Sequence, residues 1–109
     1  MKRYIGTIVN VIIDRPLGSL HPKYGYEYHL NYGYFPNTVS GDGEEIDAYI
    51  IDLDYPVKKC CGKVIAVILR ENDNEDKLVV STSGRYFTKK QIINKTRFQE
   101  HFFKTKILR

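Results

Sequence analysis

Polar and apolar positions alternate along much of the chain, with a period of two dominating up to residue 82. Tyr4-Ile5-Gly6-Thr7-Ile8-Val9-Asn10-Val11-Ile12-Ile13 is β-branched and nearly alternating, which predicts a strand. Arg15-Pro16-Leu17-Gly18-Ser19-Leu20-His21-Pro22 carries turn chemistry and predicts a loop. Tyr24, Tyr26 and Tyr28 then share one face of a short extended segment. Asn31 to Asn37 runs extended into a loop tipped by Gly41-Asp42-Gly43, and Glu45 to Asp52 reads as the next strand. Lys63 to Glu71 and Lys77 to Thr82 form a predicted hairpin across the polar turn Asn72-Asp73-Asn74-Glu75.

The period changes at Thr88. Thr88 and Gln91 make a capping box and Phe87 with Ile92 the accompanying hydrophobic staple, so a helix should start there. Ile92, Phe98, Phe102 and Phe103 continue it at helical spacing to about Lys106. The expected fold is mainly β with a C-terminal helix (α+β), an OB-like five-stranded barrel occupying 1–109 as a single domain. An open α+β sandwich is the alternative.

Composition is that of a globular protein, with 42% hydrophobic and 28% charged residues. No apolar run is long enough to span a bilayer, and Met1-Lys2-Arg3-Tyr4 leads into a strand pattern with no secretory h-region, so a cytoplasmic protein is expected. Cys60 and Cys61 are adjacent, which disfavours a mutual disulfide or a metal knuckle and leaves two reduced thiols. The net charge of +4 is unevenly spread: residues 42–76 hold ten of the thirteen acids, while residues 85–109 hold eight bases against Glu100 alone. The basic end could attract an anion or form a solvated face; the acidic middle argues against a nucleic-acid partner.

Three features could carry chemistry. In Asp42-Gly43-Glu44-Glu45-Ile46-Asp47 an extended backbone points Asp42 and Glu44 the same way, with Asp47 close behind. Three converging carboxylates either hold a hard divalent cation such as Mg²⁺ or Mn²⁺, or form a solvated acidic tip. Glu71, Asp73, Glu75 and Asp76 before Lys77 are either an ordinary hairpin turn or a second half of a multi-metal site that binds phosphate. Five tyrosines between residues 24 and 34 either present hydroxyls to a ligand or cover a sheet face. His21, His29 and His101 have no second ligand at metal spacing and read as structural.

Tyr28-His29-Leu30-Asn31-Tyr32-Gly33-Tyr34-Phe35, followed by Asp42-Gly43-Glu44-Glu45-Ile46-Asp47, resembles the Y-x-x-N-Y-G-Y-I and D-G-D-P-x-D blocks of the soluble family I inorganic pyrophosphatases. Lys77-Leu78-Val79 and Phe98-Gln99-Glu100-His101-Phe102 resemble two later family segments, so the similarity covers most of residues 28–104 in order. The resemblance implies an OB-like barrel that hydrolyses inorganic pyrophosphate, or a related phosphoanhydride, to two phosphates. Attack would be in line by a metal-activated hydroxide, with Mg²⁺ or Mn²⁺ as cofactor and a homo-oligomeric assembly. It assigns metal binding to Asp42, Glu44, Asp47, Glu75 and Asp14, with Asp73 or Glu71 for one further aspartate, and catalysis to Glu44 (base), Tyr32 and Lys77. Substrate binding falls to Lys23, Tyr28 and Lys104, with Arg15 or a base from elsewhere in place of the family's arginine. Glu44 and Glu45 stand where the family has aspartate and proline, and the segment from Lys23 to Tyr28 is too short for the family's arginine-bearing hairpin. Two other functions remain open: a degenerate relative that binds phosphate without turnover, and an OB-type binder of single-stranded nucleic acid.

Overall fold

The computed structural model describes residues 1–39, 43–71 and 75–109; Asp42 and Asp73 lie outside the described residues. After a short 3₁₀ turn at Lys2–Tyr4, the chain forms β1 (Ile8–Arg15), β2 (Asn31–Phe35), β3 (Ile46–Ile50), β4 (Lys59–Arg70), β5 (Lys77–Ser81), α1 (Lys89–Glu100) and β6 (Thr105–Leu108). The sheet order is β1-β2-β3-β5-β4-β6, and β1 also pairs with β4, which closes five strands into a barrel. The expected OB-like barrel with one C-terminal helix is the observed architecture. The open sandwich is not.

Two apolar layers explain the sequence pattern. Val9, Val11, Ile13, Ile46, Ala48, Ile50, Val64, Leu78 and Val80 fill the barrel interior. Tyr28, Tyr49, Ile51, Ile65, Val79, Phe87, Ile92 and Ile107 form a second cluster on the outer face of the sheet, covered by α1. The central strands are therefore apolar on both faces, and all of β5 is buried. β1 buries one face only, with alternating exposed and buried positions. The capping box at Thr88 and Gln91 is formed as expected: the Gln91 N–H donates to Thr88 Oγ1 at 3.1 Å and the Thr88 N–H to Gln91 Oε1 at 2.9 Å.

Three expectations change. The first strand starts at Ile8, since Lys2–Tyr4 is a helical turn. The helix ends at Glu100, well short of Lys106. The segment beyond it becomes β6, which pairs with β4 from Val67↔Leu108 to Arg70↔Thr105. β4 is long enough to hold β1 along Lys59–Lys63 and β6 along Val67–Arg70, so an open stretch of edge recruits the tail.

Candidate active site

The parallel pairing of β3 with β5 places Asp47 directly beside Lys77. Glu75 lies two positions before Lys77, so the two side chains point to one face of the extended chain. The Lys77 ammonium, with a side chain 1% exposed, donates to Asp47 Oδ2 and to Glu75 Oε1, both at 2.6 Å. Tyr32, paired on β2 with Tyr49 of β3, donates its hydroxyl to the same Asp47 Oδ2 at 2.9 Å. Burial first, then the Asp47 charge, holds the Tyr32 pKa far above its ordinary value, so this hydroxyl remains a donor.

A second network lies behind the first. Arg70, at the end of β4, donates from Nε to Glu100 Oε1 at 2.9 Å and from Nη2 to Oε2 at 2.8 Å. Its guanidinium stacks 3.7 Å from the Phe103 ring centre, and Nη1 reaches Glu75 Oε2 at 3.4 Å. Burial opposes the arginine charge, but the Glu100 hydrogen bonds and charge outweigh it and push the pKa up. Tyr49 donates to Glu100 Oε2 at 2.5 Å and receives the Gln99 amide at 2.6 Å. Tyr26 and Tyr28 both donate to Gln99 Oε1, at 2.7 and 2.8 Å. The end of α1 is thus tied by hydrogen bonds to the barrel wall under the acid–lysine group.

These groups surround a cleft of 530 Å³, lined among the described residues by Asp14, Arg15, His21, Tyr24, Tyr26, Tyr28, Tyr32, Asp47, Arg70, Glu75, Lys77, Gln99, Phe102 and Phe103. The irregularity in the β1–β2 register between Ile13 and Arg15 sets Asp14 and Arg15 on its rim. Seven of the residues singled out in the sequence therefore line one cleft: Asp14, Arg15, Tyr28, Tyr32, Asp47, Glu75 and Lys77. Glu44 is exposed and is not among the lining residues. Lys23 lies over the Tyr24 ring at 5.3 Å, outside the lining. Lys104 is 81% exposed and 3.6 Å from Glu71. The Tyr28 hydroxyl is bonded to Gln99, so this tyrosine presents its ring to the cleft.

Arg70, Glu100, Gln99 and Tyr49 were not singled out for the site in the sequence. The available signals are Arg70, a cation ending the apolar run Val64 to Leu69, and Glu100, the single acid among the bases of residues 85–109, within a segment that resembles the family.

Asp14, Asp47 and Glu75 bring only carboxylate oxygens, and a cationic group, the Lys77 ammonium, already lies between two of them. That chemistry fits Mg²⁺-class ions. Among the described residues no three such groups meet as a ready-made cage.

The family model for inorganic pyrophosphatase matches residues 10–106. The chain belongs to the inorganic pyrophosphatase family. An inorganic pyrophosphatase from Mesorhizobium japonicum is 29% identical over 100 residues, covering 73% of this chain and 56% of that protein. One from Xylella fastidiosa is 28% identical over 102 residues, covering 73% of this chain and 57% of its own length. The chain thus spans a little over half the length of these curated relatives. The crystal structure of an inorganic pyrophosphatase from Ehrlichia chaffeensis shares the fold, with a TM-score of 0.74 at 17% identity, over 95% of this chain and 86% of that one. No described helix is long and apolar enough to cross a membrane.

Proposed function

We propose that this chain hydrolyses inorganic pyrophosphate to two phosphates with the help of a divalent cation, Mg²⁺ or Mn²⁺. The observation that carries the reading is the Asp47–Lys77–Glu75 group with Tyr32 on its rim, assembled in a cleft from segments that match the family. Asp47, Glu75 and Asp14 would hold the cation, together with Asp42, Glu44 and Asp73. Divalent cations in such sites lower the pKa of a bound water toward neutrality and screen phosphate charge. Lys77 and Arg15 neutralise charge that develops on the departing phosphate, and Tyr32 fixes the Asp47 carboxylate. A cytoplasmic, homo-oligomeric enzyme is part of the same proposal.

Phosphate release from pyrophosphate, with Mg²⁺ and then with excess EDTA, tests it. Turnover should appear only with the metal and should fall at least ~100-fold in Asp47→Ala. Metal-independent turnover, or full activity in that variant, would refute it. A second reading, binding without turnover, is favoured by the exposure of Glu44 outside the cleft lining, since the resemblance gives that residue the base. Calorimetric binding of pyrophosphate with no phosphate release would select it.

A further inference from the structure

One wall of the cleft is aromatic and ends in an imidazole that belongs to no motif. His21 opens the tip 21–26: its N–H donates to the Tyr26 carbonyl at 2.8 Å, and the Gly25 N–H returns to the His21 carbonyl at 2.9 Å. Gly25 allows this closure by adopting φ +75°. Inside the tip, His21 Nδ1 accepts the backbone N–H groups of Lys23 and Tyr24, each at 3.1 Å. A backbone N–H can only donate, so Nδ1 must present a lone pair, and the ring proton of the neutral imidazole then resides on Nε2.

The ring is set into the wall. It lies 4.8 Å from Tyr26 and 5.0 Å from Tyr24, and nearly parallel to Tyr28 at 6.3 Å. Tyr28 is 5.5 Å from Tyr32, whose hydroxyl holds Asp47, so the row of rings runs from His21 to the acid–lysine group. The hydroxyls of Tyr26 and Tyr28 are committed to Gln99 and that of Tyr32 to Asp47, while Tyr24, nearer the mouth, is 66% exposed. Among the described residues nothing accepts a hydrogen bond from His21 Nε2. Burial, followed by the charges of Arg15 and Lys23, lowers the imidazole pKa from 6.5 and favours the neutral ring.

We propose that His21 is a substrate-binding residue whose neutral Nε2–H donates to a terminal oxygen of a diphosphate-class anion held in the cleft. The inference rests on the cleft being an oxyanion site, and it adds a directional, uncharged donor at the opposite end of the aromatic row from Lys77.

His21→Asn separates this role from the closing of the tip. The asparagine Oδ1 can still accept the N–H groups two and three residues on, as in an Asx turn, but its Nδ2 falls at the place of the ring Cδ2 and puts no donor at the Nε2 position. His21→Ala removes both. Imidodiphosphate, which resists hydrolysis, is titrated calorimetrically with Mg²⁺ into all three proteins, and the histidine ring ¹⁵N resonances are recorded as it saturates the wild type. His21→Asn should melt with the wild type yet bind roughly 5- to 20-fold more weakly. The Nε2 resonance should move on saturation while Nδ1 stays in place. A folded His21→Asn that binds within twofold of wild type overturns the proposal. So does an Nε2 resonance unmoved at saturation, which decides the matter even if both variants fail to fold. Wild-type binding without phosphate release would sink only the hydrolytic reading; no binding by the wild type would sink both.

Discussion

Replacing Glu100 by glutamine removes one charge from a buried ion pair and leaves the other in place. The Arg70 and Glu100 side chains are 4% and 5% exposed, and two hydrogen bonds of 2.9 and 2.8 Å join them. Breaking a buried pair from one side costs about 3–5 kcal/mol, because the remaining charge stays desolvated. Glu75, 37% exposed and 3.4 Å from Nη1, compensates in part, so the expected loss lies near the lower end, about 3 kcal/mol. For a domain of this size that is a fall in Tm of roughly 10 °C or more. Urea unfolding followed by circular dichroism measures it, with the double variant Arg70→Met, Glu100→Met as the control. Removing both partners should restore part of the lost stability, since apolar replacements of a buried pair are often neutral, offset by the Tyr49 hydroxyl, which loses its acceptor on Glu100. A Glu100→Gln loss below about 1 kcal/mol would refute the assignment of this pair as a desolvated ion pair.

Gly33→Ala should prevent normal closure of β1 on β2: a Cβ there would lie 1.8 Å from the Ile12 carbonyl oxygen and 2.8 Å from the Ile13 Cα, both backbone. The expected cost exceeds about 3 kcal/mol, and an unchanged melting curve would contradict this close approach. Asp52 is opposed by burial but held at about 2, from 3.8, by hydrogen bonds from Thr82, Ser81 and Ser83. A depressed carboxyl pKa stabilises the fold above pH ~4, and the contribution fades as pH falls toward 2. Discounted for solvent, it amounts to roughly 1 kcal/mol, so wild type and Asp52→Asn should converge in urea midpoint near pH 2 and differ at pH 6. Lys77→Met leaves Asp47 and Glu75 facing one another, and phosphate release should drop at least ~100-fold in a coupled colorimetric assay. Activity within tenfold of wild type would remove Lys77 from the mechanism.

The strands and the helix start were legible because local chemistry and tertiary burial agree there. Thr88 caps the helix whatever packs beside it, and the apolar run of β5 marks a strand covered on both faces. The tail at Thr105–Leu108 was not legible, because four residues carry no period of their own and become a strand only against the open end of β4. The same division holds in the site. Asp47 and Lys77 could be singled out by type, but their contact depends on a parallel register that no local pattern encodes. Arg70 and Glu100 each stand out against their neighbours in the chain, but that they pair appears only when the fold buries them against each other.

The seam where β1 meets β4 joins Val9 to Gly62, residues about fifty positions apart, and such non-local pairing is entropically costly to nucleate. The antiparallel β4–β5 pair, close in sequence, can zip early, whereas the cylinder shuts only when both distant edges find each other. Until then the lips of β1 and β4 are unpaired strand borders, the segments most open to adhesion between chains. Refolding yield should accordingly decline with protein concentration more steeply than the small size of the domain would suggest.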